Sequence, residues 1–162
     1  MIKLHGKKLE LTLHEQHSKL FKEVFLDDEY WLRTLPTKQI QSIVDVGANA
    51  GIFAITARTF FRDAKINCYE PNDELKGFLN ANARNFNFSI NYSAVGLNPG
   101  KGELKDTYGD GSVAYFIENP TGNIPITTLH QIIKDNPKGI DLLKLDCEGY
   151  EYELFKAKGN LE

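Results

Sequence analysis

The sequence has few cysteines, no excess of positive charge and no long apolar run. Cys68 and Cys147 are the only cysteines among 162 residues, which excludes a disulfide scaffold and a zinc site with several cysteine ligands. The net charge of −3 argues against a surface that follows nucleic-acid phosphates. No apolar run approaches the roughly 18 residues of a membrane span, and none follows the basic start to form a secretory signal. We therefore expect a cytoplasmic protein with neither nucleic-acid nor membrane partners.

Metal ligands are also scarce in the sequence. His14 and His17 are three residues apart and can share one face of a helix, but no third ligand is evident beside them. We therefore expect no metal site.

The length suits one domain with a small N-terminal addition. Residues 1–41 carry apolar side chains at helical spacing, such as Leu20 and Val24, and Pro36 ends this pattern. We predict that residues 1–41 form an N-terminal helical cap and that residues 42–162 form the main domain.

Short apolar runs alternate with helical patterns from residue 42 onward, which is typical of an α/β fold. The predicted strands are 42–46, 65–69, 89–95 and 140–145; the predicted helices are 52–61, one after Asn72, one capped by Thr127 or Thr128, and one beginning near Tyr150. Glycine-rich residues 109–112 lie between two strand-like runs and predict a β-hairpin. The pattern predicts an open, mostly parallel sheet covered on both faces, with ligands at the carboxyl ends of its strands.

The loop after the first predicted strand of this sheet carries the clearest functional pattern. Asp45, Gly47, Asn49 and Gly51 join that strand to a helix, and Glu70 follows the next strand. Glycines permit a tight turn and a close approach of a ligand to the backbone, while an acid at the neighbouring strand end accepts hydrogen bonds from a ribose. The alternative is that both glycines only ease strand-to-helix packing and that Glu70 is a solvated cap.

The acid in this loop bears on which nucleoside cofactor is bound. A dinucleotide site usually reads Gly-x-Gly-x-x-Gly around a pyrophosphate, whereas Asp45 precedes Gly47-x-Asn49-x-Gly51 here. Asp45 would repel a pyrophosphate but could hold a cationic amino group. The loop therefore favours S-adenosylmethionine over NAD.

Four segments together resemble the FkbM-type S-adenosylmethionine-dependent methyltransferases. They are the loop Asp45-Val-Gly-Ala-Asn-Ala-Gly51, Tyr69-Glu-Pro-Asn72, Thr127-Thr-Leu129 and Leu143-Lys-Leu-Asp-Cys-Glu-Gly-Tyr-Glu151. The resemblance runs from about residue 40 to residue 161. It implies a Rossmann-like methyltransferase fold and transfer of a methyl group to a hydroxyl of a sugar or another small metabolite.

The same resemblance implies roles for individual residues. Asp45, Gly47, Asn49 and Gly51 would cradle the methionine part of the cofactor, and Glu70 would bind its ribose. Asp146 would lie at the rim of the cofactor and acceptor pocket, with Glu148 pointing to the acceptor side. A hydroxyl acceptor must lose a proton, so Asp146 and Glu148 are paired candidates for the general base. Their alternative role is to cap the N-terminus of the last helix.

Relative to this family pattern the chain stops early. Methyltransferases of this kind continue with three more strands, so we expect the sheet to be incomplete at its C-terminal half, with strand order 3-2-1-4. The exposed edge of strand 140–145 would then favour self-association. A noncatalytic binding module with the same fold stays open as a different function, and an NAD-dependent enzyme is the weaker alternative.

Overall fold

A computed structural model describes residues 2–4, 7–106, 114–147 and 150–156. Its strands are β1 (Ile2–Leu4), β2 (Lys7–Leu9), β3 (Ser42–Val46), β4 (Lys65–Tyr69), β5 (Ser89–Asn91), β6 (Ala94–Gly96), β7 (Gly100–Asp106), β8 (Ala114–Glu118), β9 (Ile124–Thr128) and β10 (Leu142–Leu145). Its α-helices are α1 (Ser18–Phe21), α2 (Ile52–Phe60), α3 (Lys76–Phe86), α4 (Leu129–Asp135) and α5 (Glu151–Lys156). No helix among these residues is both long and apolar enough to cross a bilayer.

A parallel sheet in the order β10-β3-β4-β5 forms the centre of the α/β fold that the sequence predicts. Side chains on β3 alternate between its two faces: Ile43 packs in one apolar cluster, whereas Val44 and Val46 pack in another. The first cluster contains α2 and part of α3, and the second contains residues of α4 and α5. Both faces of β3 are thus covered, and the carboxyl ends of β3, β4 and β10 meet at one edge.

The prediction of a single strand over residues 89–95 is wrong. A turn in which the N–H of Ser93 donates to the carbonyl oxygen of Asn91 at 3.0 Å interrupts the run. The chain therefore leaves the parallel sheet after β5 and enters a second, mixed sheet at β6, with the order β6-β9-β7-β8. β7 and β8 are antiparallel, as the hairpin pattern predicts, while the turn at residues 109–112 lies outside the described residues.

The N-terminal segment packs against the first cluster. After the antiparallel pair β1–β2, a continuous helical stretch runs from Glu15 to Leu26 as a 3₁₀ turn, α1 and a π turn. Val24 and Leu32 are buried with the residues of α2. The division of the chain at residue 41, the incomplete C-terminal half and self-association through β10 stay predictions.

Candidate functional site

A cavity of about 360 Å³ opens where β3, β4 and β10 end. This volume lies within the range of roughly 300–1,000 Å³ that is usual for small-molecule sites. One side consists of residues that follow these strands, and we call Gly47, Asn49, Glu70 and Asp146 the sheet wall. The N-terminal segment also lines the cavity, through Gln16, His17 and Leu20, which we call the N-terminal wall. β7 and β8 contribute apolar side chains beside them.

The two glycines of the loop after β3 have different neighbours. Both have positive φ, +74° at Gly47 and +83° at Gly51, which side chains rarely adopt. A Cβ at Gly47 would overlap the carbonyl oxygen of Asp146, so this glycine lets the loop contact the end of β10 while it lines the cavity. A Cβ at Gly51 would lie 2.8 Å from Cζ of Phe88, and Gly51 does not line the cavity. The packing explanation therefore accounts for Gly51.

Glu70 lies at the cavity with both carboxylate oxygens engaged. Oε2 accepts a hydrogen bond from the N–H of Asn49 at 2.8 Å, and Oε1 accepts one from the N–H of Asn72 at 2.8 Å. Burial raises the pKa of Glu70 above its usual value, while these two donors oppose the shift. A carboxylate has about four lone-pair positions, so each oxygen can still accept one more hydrogen bond.

Asn49 fixes the loop through its own backbone. Its φ is +52°, and its side-chain Oδ1 accepts from the N–H of Ala50 at 2.7 Å. Because an asparagine tolerates the left-handed region and can hydrogen-bond locally, the loop keeps the N–H of Asn49 directed at Glu70. The same residue lines the cavity.

Asp45 is fully buried and does not reach the cavity. The cation beside it is Lys144, whose Nζ lies 3.2 Å from Oδ1 of Asp45. Lys144 also donates to the carbonyl oxygen of Gly47 at 2.7 Å. Burial alone would lower the pKa of Lys144, but Asp45, Asp146 and Glu70 outweigh that effect and raise it, so the ammonium stays charged. Asp45 therefore pairs with a cation of the chain itself and lines neither cavity.

Asp146 follows β10 and lines the cavity, with half of its side chain exposed. Its Oδ2 accepts a hydrogen bond from the hydroxyl of Tyr30 at 2.7 Å and lies 3.6 Å from Nζ of Lys144. A smaller cavity of about 80 Å³, which Tyr30 and Lys144 line, also reaches Asp146. Glu148, the second predicted base, lies outside the described residues, so its role stays a prediction.

Sequence reasoning missed two groups at this site. Lys144 sits in an apolar strand and contributes to the family resemblance only as part of a motif, although a lone lysine in such a strand signals a buried ion pair. Tyr30 carries no local signal, because its contact with Asp146 spans 116 residues.

His17 is the buried polar group of the N-terminal wall, with 4% of its surface exposed. Its Nδ1 accepts a hydrogen bond from the N–H of His14 at 3.1 Å, and its ring meets that of Phe78 edge-on at 5.6 Å. Burial lowers the pKa of His17, and His14 lowers it further. The neutral ring therefore carries its proton on Nε2.

The charge and donor set of the cavity suit a cationic organic ligand. Its acidic lining side chains are Glu70 and Asp146, and no lysine or arginine is among its described lining residues. Burial raises the pKa of the lining Cys147 thiol to about 12, which keeps it protonated. No group of three or more metal-ligating side chains occurs within the described part of the chain.

A family model described as "Methyltransferase FkbM domain" matches residues 45–161, which is more than half of the chain. The match includes the whole sheet wall and leaves the N-terminal wall outside it. No curated protein matches the chain.

Proposed function

The chain belongs to the FkbM methyltransferase family, and from that premise we propose that it uses S-adenosylmethionine to methylate a hydroxyl oxygen of a sugar or another small metabolite. The parallel strand order β10-β3-β4-β5 supports a Rossmann-like methyltransferase fold. The cytoplasmic location and the small-molecule hydroxyl acceptor are parts of the same proposal.

The arrangement of Glu70 is the observation that carries the proposal. Its carboxylate is anchored by the N–H groups of Asn49 and Asn72 at the end of β4, and each oxygen keeps a lone pair for a ribose hydroxyl. It lines a cavity of suitable volume whose described lining residues include two carboxyl side chains and no lysine or arginine. This combination fits the ribose and the positive charge of S-adenosylmethionine, whereas the pyrophosphate of NAD would be repelled.

S-adenosylmethionine supplies a methyl group activated by its sulfonium. The protein therefore has to bind the cofactor, align the acceptor with the methyl group and take the proton of the acceptor hydroxyl. Glu70 and the loop at Gly47 and Asn49 bind the cofactor. Lys144 and Asp45 act beneath the loop, where the ammonium ties the carbonyl oxygens of Val46 and Gly47 to the end of β10. Asp146, half exposed at the cavity, takes the proton of the acceptor hydroxyl. Glu148 stays a second candidate for that role.

Isothermal calorimetry with S-adenosylmethionine tests the proposal on the purified chain. We expect binding by the wild type and a loss of about 1.5–3 kcal/mol of binding free energy in Glu70→Gln, because the amide removes the negative charge and one of the two acceptor oxygens that face the ribose. Glu74→Gln is the matched control, since Glu74 is an exposed glutamate close by that does not line the cavity. Its affinity should equal that of the wild type.

Two results would contradict the proposal. Failure of the wild type to bind at millimolar S-adenosylmethionine would favour the noncatalytic binding module. Binding of NADH instead would favour the dehydrogenase alternative. Equal affinities of wild type and Glu70→Gln would remove Glu70 from the ribose site and leave the cofactor in place.

A further inference from the structure

One side chain of the N-terminal segment reaches the sheet wall directly. The hydroxyl of Tyr30 donates to Oδ2 of Asp146 at 2.7 Å. Tyr30 lies outside the region that the family model matches, whereas Asp146 lies inside it. The contact therefore joins a segment without family assignment to the residue proposed as the base.

The ring of Tyr30 is fixed by its surroundings. It meets the ring of Phe53, on α2, edge-on with 5.2 Å between centroids, and Nζ of Lys144 lies 6.0 Å from both ring centroids. Edge-to-face contacts of this kind restrict the orientation of both rings. The chain beyond Tyr30 is also held, because the carboxylate of Asp28 accepts from the N–H groups of Leu32 and Arg33 at 2.9 and 3.1 Å. The hydroxyl is thus presented from a rigid support.

The two carboxylate oxygens of Asp146 have different environments. Oδ2 has both the Tyr30 hydroxyl and, at 3.6 Å, the Lys144 ammonium beside it. Within the described residues no hydrogen bond or ion pair involves Oδ1. The side chain is half exposed and lines both cavities, so the lone pairs of Oδ1 are left for a ligand.

We propose that Tyr30 is a positioning residue, which holds Asp146 so that its second oxygen faces the cavity. This inference rests on the proposed function and extends it to a residue outside the family-matched region. Without the hydroxyl, both oxygens can turn toward Nζ of Lys144, and the negative charge withdraws from the cavity. The N-terminal segment then belongs to the reaction site as well as to the packing of the fold.

The positive charge of the cofactor makes this orientation measurable without a known acceptor. S-adenosylmethionine carries a sulfonium, and S-adenosylhomocysteine has a neutral sulfur at the same position. A carboxylate that faces the cavity favours the first over the second, whereas a general loosening of the site weakens both alike. The ratio of the two dissociation constants therefore reports the placement of Asp146.

The experiment is calorimetry with both compounds on wild type, Tyr30→Phe, Asp146→Asn and the double variant. Tyr30→Phe retains the ring against Phe53, so the fold is retained. We expect the preference for S-adenosylmethionine to fall about three- to tenfold in Tyr30→Phe, as for one ordinary hydrogen bond. In the Asp146→Asn background, Tyr30→Phe should change the ratio no further. Tyr152→Phe is the control, because that exposed tyrosine lines neither cavity and should keep the wild-type ratio.

The outcomes separate this inference from the proposed function. An unchanged ratio in Tyr30→Phe, equal weakening of both compounds, or an effect of Tyr30→Phe that persists in the Asp146→Asn background overturns the role of Tyr30 while cofactor binding stands. A wild type that binds neither compound overturns both proposals.

Discussion

The sheet wall and the N-terminal wall face the same cavity but are held in different ways. Glu70 in the sheet wall is fixed by backbone N–H groups that lie 2 and 21 residues away, at strand ends that the topology brings together. The N-terminal segment is attached through contacts over 70 to 116 residues, by Asn82 to Thr12 and by Tyr30 to Asp146. The first wall follows from the order of the strands, and the second depends on side-chain contacts between segments that are far apart in the sequence. The cavity therefore combines residues placed by the sheet with residues placed by long-range tertiary contacts.

Gly47→Ala is the strongest test of the sheet wall. A left-handed φ and the overlap of the new Cβ with the carbonyl oxygen of Asp146 each cost about 1–3 kcal/mol, since neither backbone can move freely. Urea unfolding should show a loss of several kcal/mol, together with weaker binding of S-adenosylmethionine. Gly77→Ala, in α3 with open space around its Cβ, should instead gain about 0.5–1 kcal/mol. Equal free energies of unfolding for Gly47→Ala and Gly77→Ala would show that the fold does not require glycine at position 47.

Asn82→Ala tests whether the two walls are linked. The buried Asn82 side chain donates to the carbonyl oxygens of Thr12 and Ala50 and accepts from the N–H of Thr12, all at 2.8–2.9 Å. We expect the free energy of unfolding to fall by about 1–3 kcal/mol, because buried backbone groups are left unpaired. Hydrogen exchange should rise in both the Glu15–Leu26 stretch and the loop after β3.

Asn85→Ala is the matched control for Asn82→Ala. Asn85 donates to the carbonyl oxygen of Glu10 at 2.8 Å, also in the N-terminal segment, but at an exposed position. We expect Asn85→Ala to lower the free energy of unfolding by no more than about 0.5 kcal/mol. If exchange rises only in the N-terminal stretch of Asn82→Ala, the walls are independent.

The pH dependence of stability gives the smallest expected effect and concerns the sheet wall alone. Burial raises the pKa of Glu70 in the folded protein above its ordinary value of 4.5. Between 4.5 and the raised pKa of the folded protein, the folded state binds more protons than the unfolded state. The contribution of Glu70 to the free energy of unfolding therefore falls as pH rises from the lower of these pKa values to the higher. A tenfold difference in proton affinity between the folded and unfolded states corresponds to about 1.4 kcal/mol.

Urea unfolding of wild type and Glu70→Gln over a pH series measures this contribution. The free energy of unfolding of the wild type should fall relative to that of the variant as pH rises above 4.5 and then level off. The burial of Asp45, which raises the pKa of that carboxyl, is common to both proteins and cancels in the difference, whereas its repulsion of Glu70 is part of the effect measured. A constant difference would mean that Glu70 titrates as an exposed glutamate.

The sequence predicted the strands at Ser42–Val46 and Lys65–Tyr69 with their observed bounds, because short, mostly apolar runs agree with burial on both faces. The exchange of sheets at Tyr92 and Ser93 was not predictable, since a local turn interrupts a run that alternates without a break. β9 was missed because Pro125 lies within it and argues against a strand. The sheet wall could be predicted from loop and strand-end chemistry. The N-terminal wall could not, because it forms only by tertiary contact.

Trp31, next to Tyr30, gives this protein an internal optical reporter. It is the single tryptophan in the sequence, is 71% exposed, and is held at φ +57° with its N–H donating to the carbonyl oxygen of Asp28 at 2.8 Å. Its fluorescence comes from one known position on the segment that also supplies the N-terminal wall. Displacement of that segment on ligand entry would alter emission or quenching, so titrations need no attached dye.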